Sequence, residues 1–155
     1  MFSVTDHNAR FDERQTVIRY KGYMIGFMTI LVYMIIVFFC EIVYGEEFAS
    51  GGVIAGIGFW LAVGVTITYN IFYGGMFPFT DSGYGTTAAV LLILGVGSAI
   101  RMLGHLMDTG GNYISDGKIN MAAVEVVGMT VCITLGIITV IKGIADKRKE
   151  KDEES

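Results

Sequence analysis

Apolar positions gather into four runs, at roughly 23–44, 52–73, 87–107 and 121–141, separated by short polar or glycine-rich stretches. Each is close to the ~20 residues that a helix needs to cross a hydrocarbon core of roughly 30 Å. A helix of a soluble bundle keeps a polar stripe for water. The run Tyr33-Met34-Ile35-Ile36-Val37-Phe38-Phe39 has no polar face at any helical phase, and Ala88 to Leu94 reads the same way. The pattern predicts an all-α fold, an integral membrane four-helix transmembrane bundle. Its organisation would be a partly helical leader over 1–22, the transmembrane domain over 23–141 and a charged tail over 142–155. Short connections predict that sequential helices are antiparallel neighbours. The first run is longer than a signal-peptide core and no small-residue cleavage site follows it, so it is expected to remain as a helix.

Charge gives these runs a direction. Arg10, Arg14, Arg19 and Lys21 precede the first helix, and Lys142, Lys147, Arg148, Lys149 and Lys151 follow the fourth. Segment 45–51 has no Lys or Arg, and 108–120 has only Lys118. Basic residues favour the cytoplasmic side, so both termini are predicted to be cytoplasmic, in keeping with four crossings. Arg14, Arg19, Lys21, Lys142, Lys147 and Arg148 are then candidate contacts for anionic headgroups at the membrane surface. Tyr20, Tyr23, Tyr44, Phe48, Tyr69 and Tyr73 lie near helix ends, as interfacial aromatic belts require. Trp60 is nearer mid-span and is expected to pack between helices. Asp12 is a candidate N-cap and Glu13 suits a helix N-terminus, so the leader is expected to lead into helix 1 or to lie along the inner surface. The mixed-charge tail is expected to be a frayed, solvated end.

Four ionisable residues interrupt the apolar runs: Glu41, Arg101, His105 and Glu125. At a rise of 1.5 Å per residue, Glu41 lies ~27 Å and Arg101 ~21 Å up a core of roughly 30 Å, with His105 one turn beyond. Glu125 lies ~6 Å below the outer edge, so all four fall in the outer third. Arg101 and His105 share a helix face, with Gly97, Gly104 and Asp108 on or beside it. Glu125 shares a stripe with Ala122, Gly128, Cys132 and Gly136, small residues that let helices approach closely in lipid. Ionisable groups in a membrane usually face the interior and pair, so both faces are expected to look inward and Arg101 to pair with Glu125 or Glu41. Such a pair could hold the bundle in register, or the cluster could serve a ligand, a proton or a partner.

Other chemistry is sparse. Cys40 and Cys132 fall inside apolar runs and read as small buried hydrophobes. With His7 in the leader and His105 in the third run, no metal site can be assembled, and no cofactor is expected. No basic stripe with interleaved aromatics suggests nucleic acid. Ser82-Gly83-Tyr84-Gly85 contains the Gly-Tyr-Gly of potassium filters but has no pore helix before it, so a polar turn is the better reading. No nucleophile–base arrangement is present, and no catalytic residue is assigned. Gly22-x-x-x-Gly26 and Gly52-x-x-x-Gly56 read as packing motifs.

The leader Asp12-Glu13-Arg14-Gln15, followed by Ile18 and Lys21-Gly22-Tyr23 and then a long apolar helix, resembles that of a loose group of small four-helix membrane proteins of Gram-positive bacteria with an Asp-Glu-Arg leader. The resemblance implies a bacterial cytoplasmic membrane and no particular chemistry. Small multidrug-resistance transporters also have four helices and an intramembrane Glu in helix 1. Here Glu41 is near the helix end and both termini carry a strong charge bias, which departs from that pattern. The function expected is that of a non-enzymatic multi-pass membrane protein, an accessory, sensing or immunity-type component. Its partners would be the lipid bilayer and either copies of itself or a larger membrane complex. The alternatives are a small proton-coupled transporter or channel-forming oligomer, and a membrane-embedded enzyme.

Overall fold

Four helices carry the four apolar runs in the computed structural model, which describes residues 13–45, 48–76, 84–109, 113–115 and 117–153. Each is long and apolar enough to cross a membrane. Helix α1 (Glu13–Tyr44) takes in the described part of the leader, so the polar stretch and the first run are one continuous helix. Asp12 lies outside the described residues. Helix α2 (Gly51–Tyr73) opens on Ser50, whose hydroxyl accepts a hydrogen bond from the Val53 N–H at 3.4 Å. It closes on Gly74, whose φ of 77° is a left-handed conformation that glycine adopts without a Cβ penalty. Helix α3 (Tyr84–Thr109) follows a linker outside the described residues, which takes in Ser82 and Gly83 of the Gly-Tyr-Gly segment. Helix α4 (Met121–Glu153) is capped by Asn120, whose side-chain oxygen accepts from the Ala122 N–H at 3.0 Å.

The tail departs from expectation. Instead of fraying after the apolar run, α4 continues to Glu153. A Lys142–Asp146 ion pair of 2.8 Å, spaced i, i+4, helps to carry it on.

Glycines decide how the helices pack. Between α1 and α2, Gly22 lies under the Asn70 side chain, Gly26 under Thr66, and Gly58 under the Tyr33 ring. Between α2 and α4, Val124 sits over Gly56, Val131 over Gly64, and the Trp60 ring over Gly128. Between α3 and α4, Leu92 covers Gly136 and Ile133 covers Gly95. These registers make α1 and α3 antiparallel to their partners, and α2 parallel to α4. The packing order is α1–α2–α4–α3, with α1 packed chiefly on α2 and α3 chiefly on α4.

That order corrects the expectation that sequential helices are neighbours throughout. Helices α2 and α3 follow one another in sequence, yet α4 takes the place beside α2. The physical reason is the reciprocal fit of Val124, Trp60 and Val131 into backbone hollows at Gly56, Gly128 and Gly64. Trp60 packs between helices as expected. Gly52 faces open space and takes no part in packing.

At one end the connections meet. Strands β1 (Ile114–Ser115) and β2 (Lys118–Ile119) form a two-stranded antiparallel hairpin between α3 and α4, turning at Gly117 with φ 75°. Ile119 forms a parallel bridge with Ala49, and its N–H donates to the Phe48 carbonyl at 2.8 Å. The buried cluster of Val37, Ala49, Val53, Ile54 and Val124 lies beneath, with Ile119 and Trp60 packed against it. Both connections therefore cap the same end, and the start of α1 and the end of α4 lie at the other.

Candidate functional site

Arg101 and Glu125 meet where α3 and α4 approach the hairpin. The close approach set by Gly95 and Gly136 brings the two helices within reach of one long side chain. The Arg101 Nη2 donates to the Glu125 Oε1, forming an ion pair across the helices. This is one of the two pairings that the sequence suggested.

The face is not the one expected. The Arg101 side chain is 74% exposed, against 30% for Glu125, and nothing lies within 4 Å of a Cβ placed at Gly97 or Gly104. The reason is helical phase. Gly95, which receives Ile133, is six positions before Arg101, which places the arginine roughly 120° around from the packed face. Because, among the described residues, α4 alone packs closely on α3, that flank is uncovered by them and the arginine curls back to reach Glu125. A half-buried carboxylate is thus joined to an uncovered guanidinium.

The other two predicted residues are Glu41 and His105. Glu41 is half-buried near the end of α1, where its carbonyl accepts from the Gly45 N–H at 2.9 Å. Among the described residues it makes no ion pair with Arg101, since α1 packs on α2. His105 is in α3 one turn past Arg101, and its side chain lies outside the described residues, as does that of Asp108. Among the described side chains, Arg101 and Glu125 are therefore brought together and Glu41 is not. Of the basic residues, Arg14, Lys21, Lys147 and Arg148 are exposed. The Arg19 Nη2 donates to the Tyr23 hydroxyl at 3.5 Å, and Lys142 is taken up by Asp146. No group of three or more His, Cys, Asp or Glu suited to a metal occurs among the described residues.

A second polar locus joins α1 to the end of α2. Gln15, only 2% exposed, donates from Nε2 to the Gly74 carbonyl at 3.1 Å. Asn70, 5% exposed, lays its amide over Gly22, and its backbone carbonyl accepts from the Gly75 and Met76 N–H groups. The spacing Gln15, Gly22, Gly26 places all three on one stripe of α1, a signal that hydropathy alone passes over. Three threonine hydroxyls within the helices are satisfied locally: Thr29, Thr130 and Thr139 donate to carbonyls four residues back.

Comparison with known proteins gave no match, whether to a protein-family model, to a curated protein or to a solved structure.

Proposed function

We propose that this chain is a non-enzymatic, multi-pass protein of a bacterial cytoplasmic membrane, with both termini on the cytoplasmic side. In this reading it is an accessory, sensing or immunity-type component that acts through helix contacts with a second copy of itself. The basic residues of the α1 start and the α4 end share one end of the molecule, opposite the hairpin cap, which is the asymmetry that the positive-inside rule requires.

The observation that carries the self-contact is the exposure of Arg101. An arginine at the centre of an apolar span costs about 2.5–3.5 kcal/mol in insertion scales, less near an interface. Pairing with Glu125 offsets part of that. The guanidinium has five donors in a fixed fork, and an exposed position leaves room for a further acceptor. The flanking Gly97 and Gly104 remove the bulk that keeps helices apart in lipid. Arg101 and Glu125 stand side by side, one positive and one negative. A two-fold axis along the membrane normal brings the arginine of one copy toward the carboxylate of the other, so the patch is self-complementary.

The test is the mass of the purified chain in mild detergent, measured by light scattering. Wild type is expected to be dimeric or larger, and Gly97→Leu or Arg101→Met to shift it toward monomer. A wild-type chain that stays monomeric over the accessible concentration range would overturn the proposal.

A further inference from the structure

A cleft of about 670 Å³ opens between α1 and the second half of α2, lined by Ile25, Gly64, Val65, Phe72 and the stacked rings of Tyr69 and Tyr73, whose centroids are 4.4 Å apart. Its volume is within the ~300–1,000 Å³ typical of ligand pockets, and its walls are largely apolar. We propose that this cleft, with Lys21 and Arg14 at its rim, is a binding site for one anionic phospholipid.

The two halves of such a ligand match the two halves of the site. Lys21 is one turn before Ile25, and Arg14 two turns before Lys21, so both basic residues fall on the flank of α1 that borders the cleft. Both are exposed. The Gln15 bond to the Gly74 carbonyl ties this start of α1 to the end of α2, which puts the turn that carries Arg14 at the level of the Tyr73 end of the cleft. An acyl chain lies along Ile25, Val65 and Phe72, and the phosphate meets Lys21 and Arg14, with Tyr69 and Tyr73 at headgroup level as tyrosines prefer. Basic pockets between helices on the cytoplasmic side suit acidic lipid headgroups. The charge of the rim selects an anionic lipid over a zwitterionic one, and the apolar lining selects a lipid over free phosphate.

This inference rests on the membrane placement proposed above but not on the α3 contact. The full chain, purified in mild detergent, is titrated with phosphatidylglycerol and with phosphatidylcholine and bound lipid is counted by native mass spectrometry. A preference for phosphatidylglycerol on the order of tenfold is expected. Arg14→Gln with Lys21→Gln should bring that preference close to unity, whereas Thr68→Trp, at a residue that also lines the cleft and would fill it, should reduce binding of both lipids. Helical content by circular dichroism is expected to be unchanged in each variant. Equal binding of the two lipids by wild type, or an undiminished preference in the double variant, would sink the proposal. Displacement of bound lipid by glycerol phosphate would assign the rim to free phosphate instead, and disulfide-linked dimers through Val65→Cys in membranes would seat a second copy there. Either outcome overturns the lipid site. A chain that stays in solution without detergent overturns the membrane placement itself, which separates the two failures.

Discussion

At Gly128 the space of a missing side chain is taken by the Trp60 ring, whose nearest atoms would stand 2.7 Å from a Cβ built there. At Gly97 the same space is open. The two glycines therefore predict opposite behaviour. Gly128→Leu should destabilise the folded chain by about 1–3 kcal/mol through overpacking. Gly97→Leu should stay within about 0.5 kcal/mol under conditions where the chain is monomeric. Unfolding followed by circular dichroism in detergent checks both; equal losses would contradict the packing order. The Arg101–Glu125 pair makes a second residue-scale prediction. Arg101→Met and Glu125→Met should each cost more than half of what they cost together, because either single change leaves an uncompensated charge. The expected coupling is about 0.5–2 kcal/mol, and additive losses in the same unfolding assay would exclude an energetic pair. That Arg101 would find a carboxylate, Glu125 or Glu41, was readable from depth and sign; the choice of Glu125 follows from α3 packing on α4 and not on α1. The outward exposure of Arg101 was not readable, since spacing along α3 gives relative phase and not which phase meets α4.

Among the elements, α1 shows most clearly what hydropathy cannot convey. Its first ten residues are mostly polar, and a hydropathy pattern leaves open whether they continue the helix or lie on the surface. The deciding contacts are specific: Gln15 to the Gly74 carbonyl, and Gly22 against Asn70. Gln15→Ala should cost about 1 kcal/mol and raise hydrogen exchange over residues 13–22 while leaving α4 unchanged. Protection that stays the same over 13–22 would show that the bond does not fasten the helix start. Helix α4 runs past its apolar part for a related reason. Once a long helix is anchored by packing, charged residues with high helix propensity and i, i+4 pairs such as Lys142–Asp146 extend it at little cost. The hairpin at 114–119 is the other element that apolar runs do not reveal, because its strands are two residues each and owe their order to the Phe48–Ala49 backbone.

For the whole molecule, the number of helices and their apolar character were legible because the length and spacing of the apolar runs determine them. Their order was not. Four apolar segments joined by short links are compatible with several arrangements, and the choice of α4 over α3 as the neighbour of α2 depends on which side chains fit which glycines. The arrangement leaves α1 and α3 at the two ends, and α3 is the one with glycines and an arginine on its open side. The proposed self-association requires that this side of α3 meet a second copy. Disulfide crosslinking in intact membranes tests this most directly, in a chain carrying Cys40→Ala and Cys132→Ala. Gly97→Cys should form a covalent dimer rapidly under mild oxidation, and adding Arg101→Met should slow it. Met34→Cys, on the exposed side of α1, should crosslink poorly. Linkage at position 97 no faster than at position 34 would contradict the account.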